Sequence, residues 1–201
     1  MNDTYKTIDH NFEGETFKVR GSKFIGYAFP VFNEEEVKFH IQELKTKHHK
    51  ARHWCYAWRI GKEQIRFRAN DDGEPSNSAG QPILGQLVSF DVTNVLIVVV
   101  RYFGGTKLGV GGLINAYREG AKLVLETATI IEKTIDVHLK LTFEYEHLDK
   151  IMRIIKERQL VIVSQKMEMN CEYVVSVRKM DAEEVQFIFE NLRCLNLKIV
   201  D

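Results

Sequence analysis

The chain has no long apolar run, few cysteines or prolines, and no excess charge of either sign. Its longest unbroken apolar stretch, Val95 to Val100, is far short of the roughly 20 residues that cross a bilayer as a helix, so no membrane role is expected. Cys55, Cys171 and Cys194 are odd in number and show no CxxC spacing, which argues against a disulfide framework and a cysteine-rich zinc site; reduced core thiols are the expectation. With only Pro30, Pro75 and Pro82, nothing resembles a proline-rich linker. Lys plus Arg total 28 and Asp plus Glu total 28, so the whole chain has no electrostatic pull toward a polyanion, and any nucleic-acid surface must be local. The opening MNDTYKTIDHNFEGETF lacks the basic start and apolar core of a secretory signal, and a cytoplasmic location is expected. What is present is an ordinary composition, 44% apolar and 28% charged over 201 residues, enough for one large domain or two modest ones.

From Asp136 onward the pattern falls into two similar halves. Val137–Phe143 reads as a strand, Glu146–Arg158 as a helix with Leu148, Ile151 and Ile155 on one side, and Leu160–Lys166 as a strand. Glu172–Arg178, a helix opened by an Asp181 N-cap with Glu184 three residues on, and Leu195–Val200 repeat the order. This is the βαββαβ of the split βαβ, or ferredoxin-like, motif. Domains are expected at 1–134 and 135–201. In the first, Asn33 with Glu36 opens an amphipathic helix to about Lys47. Ser78 with Gln81 has capping-box spacing for a second helix, and Val92–Tyr102 is a buried strand leading through glycines into a third helix. Strands and helices mix without strict alternation, which gives an α+β class.

Charge is concentrated between Lys45 and Arg68, where eight Lys or Arg face one acid, Glu63. If Gly61–Gln64 is a hairpin loop, Ile60 pairs with Ile65. Alternation then puts Trp54, Tyr56, Trp58, Phe67 and Ala69 on one side, and His53, Cys55, Ala57, Arg59, Arg66 and Arg68 on the other. Arg59 opposite Arg66 would be a like-charge pair, which a bound phosphate relieves. The alternatives are a solvated basic face neutralised by Asp71, Asp72 and Glu74, and an aromatic stripe that is simply core.

A second concentration is the loop Gly104-Gly105-Thr106-Lys107-Leu108-Gly109-Val110-Gly111-Gly112. Its glycines let amides converge at the start of the following helix, where the dipole favours an anion, and Arg101, Lys107 and Arg118 are the only charges between Asp91 and Glu119. It is not a Walker A loop, because Val110 and Gly111 stand where Lys and Ser or Thr are needed, and Ile114 breaks the dinucleotide fingerprint. Close packing of backbone on backbone is the alternative use of the glycines. His49, His53 and Cys55 lack a fourth metal ligand, and Asn70–Glu74 lacks calcium-loop spacing, so no metal and no cofactor are expected. His53 with Cys55 as a nucleophilic pair rests on spacing alone.

DDGEPSNSAGQPIL (Asp71 to Leu84) and VVVRYFGGTKLGVGGLINAY (Val98 to Tyr117), with GSKFIGYAFPV (Gly21 to Val31) and HKARHWCYAW (His49 to Trp58) upstream, resemble the signature of the IMPACT/YigZ family, in its bacterial branch. Asn77-Ser78 stands where that family more often has Gly-Thr. The resemblance implies an N-terminal domain similar to ribosomal protein S5 domain 2, found also in a translocating elongation factor, and a C-terminal ferredoxin-like domain. It attaches no firm enzymatic activity to the bacterial branch. Eukaryotic relatives restrain a translation-regulating kinase with the help of an extra domain, and that partner is not carried over. The expected function is a non-enzymatic RNA-binding or ribosome-associated protein that regulates translation. Its surface is expected at His49, Arg52, His53, Arg59, Arg66 and Arg68, with Arg101, Gly104, Gly105, Lys107, Gly109, Gly111, Gly112 and Arg118. The alternatives are an enzyme on a phosphorylated small molecule, with His53 or Asp72 as acid or base, and a module that binds protein partners through its ferredoxin-like sheet.

Overall fold

The computed structural model describes residues 3–200. They form two compact units, residues 5–133, and residues 134–200 together with 3–4. The larger unit runs β1 (Thr4–Ile8), β2 (Phe12–Glu13), β3 (Phe17–Val19), β4 (Ser22–Pro30), α1 (Glu34–Lys47), β5 (His53–Ile60), β6 (Arg66–Asn70), α2 (Gly80–Ser89), β7 (Val95–Tyr102), α3 (Gly109–Thr127) and β8 (Ile130–Thr134). β1 and β8 make a two-stranded ribbon. The main sheet has the order β2-β4-β7-β5-β6, with β3 also on β4, and its β4, β7, β5 and β6 are antiparallel to their neighbours.

β7 is central and covered on both faces, which explains its unbroken apolar run. Val95, Ile97 and Val99 face α2 and α3 with Phe24, Ala57, Ile83, Leu113 and Tyr117. Leu96, Val98 and Val100 face α1 with Tyr27, Trp58, Val37 and Leu44. The aromatic stripe is therefore mainly core.

Local chemistry explains α1 as the sequence suggests. Asn33 Oδ1 accepts from the Glu36 amide at 2.9 Å, and Glu36 Oε2 accepts from the Phe32 amide at 2.8 Å. Three acids occupy its first turn, and Lys45 and Lys47 its last, as the helix dipole favours. α2 departs from expectation. Ser78 and Gln81 do not form a capping box; Ser78 Oγ donates to Pro75 O, and Asp71 Oδ1 accepts from the Ala79 and Gly80 amides. A carboxylate reaching in from the preceding turn replaces the local cap.

The hairpin register also departs. Ile60 pairs with Arg66, and Arg59 with Phe67, so the connection holds one residue more than Gly61–Gln64. The Gly61 amide donates to Asn94 Oδ1 and the Gly61 carbonyl accepts from Thr93 Oγ1, and Gly61 adopts a φ of 121°. That anchorage lengthens the loop, and a one-residue slip turns every β6 side chain over. Arg66 and Arg68 thus share the α1 face with Trp58 and Ile60, and the expected Arg59–Arg66 pair does not form.

The smaller unit contains β9 (Asp136–Glu144), α4 (Leu148–Glu157), β10 (Val161–Lys166), β11 (Asn170–Arg178), α5 (Ala182–Glu190) and β12 (Leu195–Val200), in the spatial order β10-β11-β9-β12. This is the split βαβ arrangement. Leu139, Leu141, Phe143 and Tyr173 pack against Ile151, Ile155, Val185 and Phe189. Asp181 precedes α5 but makes no side-chain cap, since a 3-10 turn leads into the helix. Asp3 belongs to this unit: its carbonyl accepts from the Ile135 amide at 2.7 Å and its carboxylate holds Arg178 Nε and Nη2.

Candidate functional site

Pairing of β5 with β7 sets His53 directly opposite Arg101. The turn after β6 folds over His53, and the glycine loop leaves the end of β7 beside Arg101. Where these meet is a cavity of about 400 Å3. Arg52, His53, Arg101 and Lys107 supply its polar wall with Glu74; Pro75, Phe103, Leu108, Val110 and Leu113 supply an apolar one.

A buried ion pair forms one side. Arg101 is 4% exposed; its Nη1 is salt-bridged to Glu74 Oε1, and its Nη2 donates to Ser22 Oγ at 3.2 Å. The guanidinium lies over the rings of Phe24 and Phe103, 5.6 and 5.5 Å from their centroids. Glu74 Oε1 also accepts from Tyr117 OH at 2.7 Å, so the buried carboxylate is compensated. Arg101 Nε has no hydrogen-bond partner among the described residues.

His53 Nδ1 lies 2.9 Å from the Asp72 carbonyl. A carbonyl can only accept, so Nδ1 carries hydrogen and Nε2 is turned toward Glu74, 3.8 Å from Oε1, too far for a direct hydrogen bond. Asp72 does not line this cavity; its Oδ2 accepts from the Trp54 amide at 2.7 Å. Cys55 is fully buried and donates to Asp71 O, and burial pushes its thiol well above the usual range. The thiolate needed for nucleophilic pairing with His53 is thereby disfavoured. Tyr117 is likewise raised, by burial first and by Cys55 and Glu74 next.

The glycines divide by use. A Cβ on Gly104 would sit 1.9 Å from the Gly21 carbonyl carbon, so that glycine is fixed by backbone packing. Gly109 has a φ of 74° and leads into α3, whose N-cap Leu108 makes no side-chain cap. Among the described residues no side chain caps the first-turn amides of α3.

Of the other sequence candidates, Arg59 is turned inward, its Nη1 donating to Leu87 O and Val92 O at 3.3 and 2.8 Å. It ties down the end of α2. Arg66 is 3.9 Å from Glu34 at the start of α1, and Arg68 shares that face. Arg118 donates to Asn115 on the exposed side of α3, and His49 is exposed in the turn after α1. None of these five lines the cavity. Glu74, Ser22, Phe103 and Tyr117 were not among the sequence candidates; the one available signal was an acid, Glu74, inside a turn already marked by Asp71, Asp72 and Gly73. Among the described residues no group of three His, Cys, Asp or Glu side chains is arranged to hold a metal ion, and no helix is long and apolar enough to cross a membrane.

The model of the Impact N-terminal domain matches residues 20–125, a span that includes the whole cavity. The chain is 34% identical over 176 residues to IMPACT family member YvyE of Bacillus subtilis, covering 88% of this chain and 81% of that one. It is 37% identical over 138 residues to IMPACT family member YigZ of Escherichia coli, covering 67% of each. Among solved structures, one described as a hypothetical protein superimposes with a TM-score of 0.74 at 27% identity, over 100% of this chain and 99% of that one.

Proposed function

Since the chain belongs to the IMPACT family, whose signature the sequence carries, we propose that it acts in the regulation of translation by binding RNA, and that the cavity at the start of α3 is the centre of the contact. One observation carries the reading: Arg52, His53, Arg101 and Lys107, separated by up to 55 positions in the sequence, converge with a helix N-terminus on one cavity. Among the described residues the only acid there, Glu74, is already claimed by Arg101 and Tyr117. Arg52 and Lys107 hold phosphates, and affinity comes from the backbone rather than from base identity. Neutrality of the whole chain fits a small contact. Arg66 and Arg68 lie on the α1 face, outside the cavity, and Arg59 serves the fold.

The test is recovery of RNA crosslinked to the protein in cells, with Arg52→Glu/Lys107→Glu beside the wild type. Recovery should fall several-fold, and in vitro the slope of log K against log salt should drop by about 1.4, at roughly 0.7 per lost phosphate contact on a single strand. Equal recovery and an unchanged slope would refute the assignment.

A further inference from the structure

We propose that the cavity is a pocket for one phosphorylated nucleoside, with the phosphate on the first-turn amides of α3 and the base against Phe103. This rests on the cavity being the RNA-contacting site, and it specifies what enters.

The walls differ in kind. Arg52, Lys107, His53 and the buried Arg101 with its partner Glu74 are polar or charged; Pro75, Val110, Leu113 and Phe103 are apolar. A bare anion would leave the apolar wall wet, and an aliphatic ligand would leave the cations unanswered. A ligand with a flat ring at one end and a phosphate at the other satisfies both. Phe103 is 45% exposed, and Arg101 covers one face of its ring, leaving the other to stack on a base. The volume, about 400 Å3, lies in the range of small-molecule sites, roughly 300 to 1,000 Å3.

The phosphate end is marked by Arg52 and Lys107. Both line the cavity together with Gly109 and Val110 of the first turn of α3, and neither side chain has a hydrogen bond or ion pair among the described residues. Arg101 is occupied by Glu74 and Ser22, so these two cations and the first-turn amides are the groups left for an anion.

The experiment is calorimetric titration of the whole protein with each common nucleoside 5′-monophosphate, with the matching nucleosides, with inorganic phosphate, and with a short RNA bearing either a 5′-phosphate or a 5′-hydroxyl. At least one monophosphate, or the 5′-phosphorylated RNA, should bind about tenfold or more tighter than its unphosphorylated counterpart. The tighter of the two identifies a free nucleotide or an RNA end as the source. Lys107→Ala should leave the melting temperature within about a degree while weakening that ligand about tenfold. Phe103→Leu should weaken it without weakening inorganic phosphate. The inference is overturned if phosphorylated and unphosphorylated ligands bind alike, or if Lys107→Ala leaves affinity intact. Equal, salt-sensitive binding of both RNAs with no response to monophosphates would remove the pocket but keep the RNA contact. Binding of monophosphates with no binding of either RNA would do the reverse.

Discussion

The buried Arg101–Glu74 pair makes a quantitative prediction about the core beneath the cavity. Both side chains are 5% exposed, so solvent screening does little for either charge. In Glu74→Leu the guanidinium stays protonated, because arginine does not shed its proton in proteins, and keeps only Ser22 and two aromatic rings. Breaking one side of a buried pair costs roughly 3–5 kcal/mol, a large share of a total stability of about 5–15 kcal/mol. Tyr117 loses its acceptor as well. Replacing both partners, in Glu74→Leu/Arg101→Met, removes the uncompensated charge, and such exchanges are often close to neutral. The double variant should therefore be more stable than either single one. Urea unfolding followed by tryptophan fluorescence is the right assay, since the chain has two tryptophans and Trp54 and Trp58 both lie in the unit of residues 5–133. At a typical slope of about 2 kcal/mol per molar urea, the single variants should lose roughly 1.5–2.5 M in midpoint. A loss in Glu74→Leu worth less than about 1 kcal/mol, or a double variant as weak as the sum of the singles, would refute the reasoning.

Two further predictions concern groups outside the cavity. His48, buried between Tyr27 OH at 2.7 Å and Tyr102 OH at 2.8 Å, is held below its ordinary value by burial first and by Lys47 next. The unfolded chain takes up this proton near pH 6.5 and the folded chain only at lower pH. Stability should thus be full above about pH 6.5 and fall below it by up to roughly 1.4 kcal/mol per pH unit until His48 is protonated in the fold; urea midpoints from about pH 7.5 to 5 should show this decline in the wild type and lose it in His48→Gln. Arg59→Leu should cost about 1–3 kcal/mol by removing the donor to the Val92 carbonyl and one of two donors to the Leu87 carbonyl, with the salt slope of RNA binding unchanged, and a reduced slope would return Arg59 to the binding surface.

What the sequence made legible is what short-range chemistry decides. Asn33 and Glu36 cap α1 because they stand three residues apart, and the alternation in β9 to β12 needs no distant partner. The β5–β6 register is decided by Asn94, 33 residues from the Gly61 amide it holds, and nothing within the hairpin signals the slip. Arg59 illustrates the cost: read as a solvent-facing cation, it is turned inward by a register set elsewhere. The same distance rule governs the site. Arg52 and His53 beside Lys107 were visible as basic or loop residues, but their convergence depends on the pairing of β5 with β7. Glu74 reads as one more acid in a polar turn, and only Arg101 and Tyr117, 27 and 43 positions further on, make it a buried anion.

Asp3 and Arg178 are 175 positions apart, yet the first belongs to the fold of the second. A ribosome makes the carboxylate 175 positions before its guanidinium partner, and domains tend to fold in the order they emerge. The unit of residues 5–133 can complete its sheet while the strand end ahead of it still waits for a partner. Synthesis therefore leaves Asp3 to be fastened to Arg178 only after residues 5–133 have been made.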